Sequence, residues 1–90
     1  MKLKSKCEQI SYRHLMSEKS VDRHFFLKRD LDESLLQILA TLQETNELVG
    51  LNISRLLNIL IMKGINELNE MEFDEAFKTI FDLNEEFREL

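Results

Sequence analysis

Arg23-His24-Phe25-Phe26-Leu27-Lys28-Arg29-Asp30 reads in two ways, and the rest of the chain follows from which one holds. As a strand, it puts Phe25 and Leu27, with Leu31 just beyond, on one face. His24, Phe26, Lys28 and Asp30 then fall on the other, and Arg29 interrupts the apolar side. As a helix, Val21, Phe25 and Lys28 line up with Leu31 and Leu35. The adjacent aromatics and the abrupt polar change at Asp30 favour the short strand. The alternative runs residues 21–49 together as one long helix.

Downstream, the helical period is plain. Asp30 is the expected N-cap of a first helix, with Glu33 three residues on in the manner of a capping box. Leu31, Leu35, Ile38, Leu39 and Leu42 keep the spacing of one buried face, and Gly50 is the expected stop. A second helix starts at Asn52 or Ser54, either of which can cap. Ile53, Leu56, Leu57, Leu60, Ile61, Ile65 and Leu68 give it a wide apolar surface, which Leu51, Ile59 and Met62 carry nearly all the way round. Such a helix is covered on most sides, and in a 90-residue chain a second subunit is the simplest source of cover. Gly64 lies in that stripe and costs about 1 kcal/mol relative to Ala in a helix, which a close helix crossing offsets. A third helix is expected from Phe73 to Glu89. Phe73, Ala76, Phe77, Ile80, Phe81 and Phe87 form its apolar face, with acids around most of the rest. Asn69 to Glu72 hold no Gly or Pro, so this turn leaves it open for the second and third helices to merge in part.

Composition agrees with a mainly α fold. Ninety residues make one small domain. Hydrophobic residues at 43% and charged residues at 32% belong to a folded chain, not a disordered one. No proline and two glycines argue against a many-stranded sandwich or barrel. The single cysteine, Cys7, excludes an intramolecular disulfide and a multi-cysteine zinc site. Met1 to Tyr12 carry no apolar core of a signal peptide. The longest apolar run, Leu56 to Met62, is broken by Asn58 and falls far short of the ~20 residues of a membrane span. A cytoplasmic protein with no membrane contact is expected.

Charge divides the chain. Residues 1–29 hold eight bases and three acids, a net +5, while residues 30–90 total −10. That asymmetry suits a basic arm for a polyanion on an acidic body, or an arm that pairs with its own body. Three segments follow: a basic flexible arm at 1–20, a core at 21–70, and an acidic amphipathic C-terminal helix at 71–90.

This order of elements resembles the ribbon-helix-helix family of DNA-binding proteins, the MetJ/Arc class, over about residues 23–68. Phe25-Phe26-Leu27-Lys28-Arg29 matches the ribbon and Leu31-Asp32-Glu33-Ser34-Leu35 the start of the first helix. Gly50-Leu51-Asn52-Ile53-Ser54-Arg55-Leu56-Leu57 matches the turn and the opening of the second. The chain departs from the family's minimal pattern at Arg29, in the longer stretch from Leu31 to Gly50, and in its extra C-terminal helix. The resemblance implies a symmetric homodimer whose paired strands enter the major groove of double-stranded DNA. By position, His24, Phe26 and Lys28 would face the bases: Lys28 toward guanine, Phe26 toward a thymine methyl. Asn52 and Ser54, at the second helix's N-terminus, and Arg23, Arg29 and Arg55 would meet phosphates. The arm bases Lys2, Lys4, Lys6, Arg13 and Lys19 would follow the backbone or a minor groove.

Other chemistries find little footing. Cys7, His14 and His24 match no zinc spacing, so no metal is expected. No Gly-rich phosphate loop is present, and the acids sit on amphipathic helix surfaces, so neither cofactor nor catalysis is expected. Leu57, Leu60, Ile61, Phe73, Phe77 and Phe81 are candidates for a dimer or partner surface, the phenylalanines either packing back over the core or meeting another protein. Two functions remain. The first is a small dimeric transcriptional regulator, a repressor or accessory DNA-binding protein that reads an operator through its ribbon. The second is an all-α helical bundle that binds another protein, of immunity, antitoxin or adaptor type, with no DNA binding.

Overall fold

A computed structural model of the chain describes residues 9–15 and 18–88. The fold is mainly helical: α1 is Tyr12–Leu15, α2 Arg29–Gln43, α3 Ile53–Glu70 and α4 Phe73–Arg88. Among the described residues there is no strand, only a lone bridge position at Glu72.

The stretch 23–30 therefore adopts neither expected form. Residues 21–28 have no regular structure and are all exposed, and Arg29 and Asp30 belong to α2. A strand is held by hydrogen bonds to a neighbouring strand, and among the described residues no other strand is present to pair with it. The long helix over 21–49 is absent as well. Lys28, extended at φ −62° and ψ 143°, is the N-cap, not Asp30, and no side chain caps this end. Asp30 and Asp32 instead occupy the first turn, where their charges face the positive end of the helix dipole.

At its other end α2 stops at Gln43, seven residues before Gly50. Tighter turns close it: the Glu44 N–H donates to Thr41 O, the Thr45 N–H to Leu42 O and the Asn46 N–H to Gln43 O. Asn46 then takes a left-handed φ of 60°, which Asn tolerates better than most residues. Gly50 serves the next turn, at φ +77°. A Cβ there would meet only the tip of the flexible Arg55 side chain, Nη1 at 2.8 Å, which can move aside, so it is the backbone angle that calls for glycine. The Gln43 side chain donates to Leu51 O at 3.0 Å and ties the end of α2 to the approach of α3.

Asn52 caps α3: its Oδ1 accepts the Arg55 N–H at 2.8 Å. The helix runs about 27 Å and breaks at Met71, whose extended backbone (φ −78°, ψ 149°) keeps α3 and α4 separate instead of merging them. Asp74 and Glu75 in the first turn of α4 and Arg88 in its last complement the dipole.

Each long helix contributes one buried apolar side chain, Leu35, Leu56 and Ala76. Of the face expected on α2, Leu35 is buried and Leu39 and Leu42 are half-buried, while Leu31 and Ile38 lie open. The radius of gyration is 15.3 Å, against about 12 Å for a compact chain of this length. The accessible surface is 8293 Å², against roughly 5,500 Å² for a folded monomer of this mass.

Candidate functional site

The residues expected to face DNA bases lie on the irregular segment 21–28. His24 and Lys28 are exposed there, and Phe26 is 104% exposed, with its whole ring in water. Arg23, His24, Phe25 and Phe26 border one shallow depression. An aromatic ring left in solvent forgoes about 1.5–3 kcal/mol of burial. Phe25 and Leu27, expected on the opposite face, are exposed as well.

The residues expected to face phosphates sit in three places. Arg23 is on the segment and Arg29 opens α2. Asn52, Ser54 and Arg55 gather at the start of α3. There the Asn52 carboxamide is occupied as the cap, and Ser54 O accepts the Asn58 side chain at 2.8 Å. The Arg55 guanidinium turns back over Gly50, with Nη1 3.4 Å from Val49 O. Ser20 and Leu15 line one cleft of about 280 Å³ with Asn52, Arg55 and Met62, so the start of the exposed segment is brought to the N-terminal end of α3. At the opposite end of the segment, Lys28 and Arg29 border a cleft whose other wall is Phe87 of α4.

Two apolar surfaces stand open. On α3, Leu60 and Ile61 are exposed and Leu57 half-buried, and a Cβ built at Gly64 would meet nothing within 4 Å. On α4, Phe73, Phe77 and Phe81 stack in a ladder with ring centroids 6.1 and 6.0 Å apart. Phe77 and Phe81 are exposed and Phe73 half-buried.

One contact was not anticipated. The Asn66 side chain grips the backbone of Ile10 with both its groups: the Ile10 N–H donates to Asn66 Oδ1 at 2.7 Å, and Asn66 Nδ2 donates to Ile10 O at 2.8 Å. The only hint in the sequence is a carboxamide set among the apolar residues of a helix. This end of the expected flexible arm is thus held against α3. Lys2, Lys4, Lys6 and Cys7 lie outside the described residues. Among those described, no three metal-ligating side chains gather, and no helix is long and apolar enough to cross a membrane. Comparison of the chain with family models, curated proteins and solved structures finds no match.

Proposed function

We propose that the chain is a small dimeric DNA-binding regulator of the ribbon-helix-helix kind, which reads an operator through residues 23–28 and represses by occupying it. One observation carries this reading: an exposed segment bearing Arg23, His24, Phe26 and Lys28 leads directly into a helix–turn–helix pair whose apolar face stands open. Two copies brought together offer each segment the antiparallel neighbour that a strand requires. Phe25 and Leu27 then turn inward, and Phe26 and Lys28 outward to the groove. The same union covers Leu57, Leu60 and Ile61, with Gly64 admitting a close crossing. The net charge of −5 opposes DNA globally, so contact is confined to the segment and the start of α3. Catalysis and cofactors have no part in this reading.

The test is a titration of the full chain into a duplex covering its own upstream region, with nonspecific competitor, at two salt concentrations. Competitor-resistant binding that weakens with salt, and that the double variant Phe26→Ala, Lys28→Ala loses, is the expected outcome. Binding that competitor removes, or that the double variant retains, counts against the reading. The exposed ladder on α4 favours a second one, a helical module that docks another protein with its aromatic face. It would leave the Phe26, Lys28 variant fully functional and the Phe77, Phe81 surface essential.

A further inference from the structure

The described part of the N-terminal arm touches α3 at both ends. Ile10 is fastened to Asn66, near the helix's C-terminal end, through two hydrogen bonds of 2.7 and 2.8 Å in a part-buried setting. A carboxamide that serves one residue's N–H and C=O together does what a neighbouring strand does, and it fixes the direction of the backbone as well as its position. Further on, Leu15 and Ser20 line the cleft at the other end of α3, with Asn52, Arg55, Asn58 and Met62. The arm therefore runs antiparallel to the helix, from Asn66 back toward Asn52. The short α1 and the turn in which the Glu18 N–H donates to Leu15 O at 3.0 Å lie between the two contacts. The arm lies on the Ile59, Met62 and Asn66 side of α3 and leaves Leu60, Ile61 and Gly64 open.

We propose that Asn66 is a positioning residue. It holds residues 9–15 and 18–20 as a strap along α3, and the strap delivers the segment beginning at Val21 to the N-terminal end of that helix. The placement is a property of the free chain. Only its use, to hold the segment in a set relation to Asn52–Arg55, rests on the DNA-binding reading above.

The experiment uses the full chain, with Cys7 replaced by Ser and spin labels attached at Ser20→Cys and Glu70→Cys, diluted into unlabelled protein so that only distances within one chain are read. From the α3 side of the cleft, Asn52 to Met62, to Glu70 is 8 to 18 residues, about 12–27 Å of helix. A strap gives one narrow distance distribution in that range, and Asn66→Leu broadens it while the helical circular dichroism stays unchanged. Asn66→Asp keeps an acceptor for the Ile10 N–H and loses the donor, so it broadens the distribution less. Hydrogen exchange provides a second, label-free readout: the Ile10 amide is slowed at least tenfold against a free peptide, and Asn66→Leu removes that protection. A broad distribution in the parent chain, an unprotected Ile10 amide, or an Asn66→Leu variant that changes neither would overturn the proposal. The DNA-binding reading is judged separately by the duplex titration, so a strap without DNA binding and DNA binding without a strap give distinct results.

Discussion

Asn52 shows how much one side chain settles. The first N–H groups of a helix have no partner inside it, and Asn52 Oδ1 takes one of them at 2.8 Å. Asn52→Ala is expected to lower stability by about 1 kcal/mol, and Asn52→Ser to leave it nearly unchanged, read as the midpoint of urea unfolding. Gly64 makes the opposite kind of statement, because its value lies in having no side chain. With open space around it, Gly64→Ala would stabilise a solitary chain by about 1 kcal/mol. Gly64→Leu places a bulky side chain at the same position. If α3 is the seam between two copies, Gly64→Leu should instead drive the protein to monomer in sedimentation velocity, and a variant that still sediments as a dimer would remove α3 from the interface. Of the residues proposed to face bases, Lys28 is the best able to donate. Its replacement by Ala is expected to cost about 1–3 kcal/mol of discrimination at one base pair, measured against duplexes that differ only there.

At the scale of elements, α3 and α4 were legible and the ends of α2 were not. The Asn52 cap and the apolar period of Ile53 to Leu68 are local signals, and they mark α3 to within a residue or two. Phe73 opens α4 as expected. The stop of α2 is also written locally, in Thr45 and Asn46, but Gly50 is the stronger glycine signal, and as a C′ residue it places the boundary five residues beyond the C-cap at Glu44. The start of α2 at Lys28 follows no capping preference, since lysine has no acceptor. On α4, the Arg88–Glu85 pair at 3.0 Å is exposed and contributes little to stability. Replacing Phe77 and Phe81 together by Ser separates the two functional readings. The DNA-binding reading expects duplex affinity within about twofold of the parent, and the partner-binding reading expects loss of function.

For the whole molecule, surface is the deciding quantity. With three buried apolar side chains among the described residues and many large ones in water, the chain has little core of its own, and domains of this size are marginal even when compact. Association supplies the missing burial in the proposed dimer. The melting temperature is therefore expected to rise with protein concentration, because the folded form is then tied to the assembled one. A midpoint that stays constant over a hundredfold range of concentration would show that the single chain carries its own stability.

The sequence by itself determined the class of fold, the helix α3 with its cap, the position of α4 and the uneven charge. Each rests on residues within a few positions of one another, or on composition alone. Tertiary structure decided the rest. Residues 23–30 have the alternation of a strand, but among the described residues there is no second strand to pair with, and they stay irregular up to the first turn of α2. The residues proposed to read DNA could be named from the sequence, but the irregular, exposed course of the segment that carries them could not. The hold of Asn66 on Ile10 spans 56 positions, and no local pattern encodes a contact of that range. It forms only because α3 lays its carboxamide where the backbone of the arm passes.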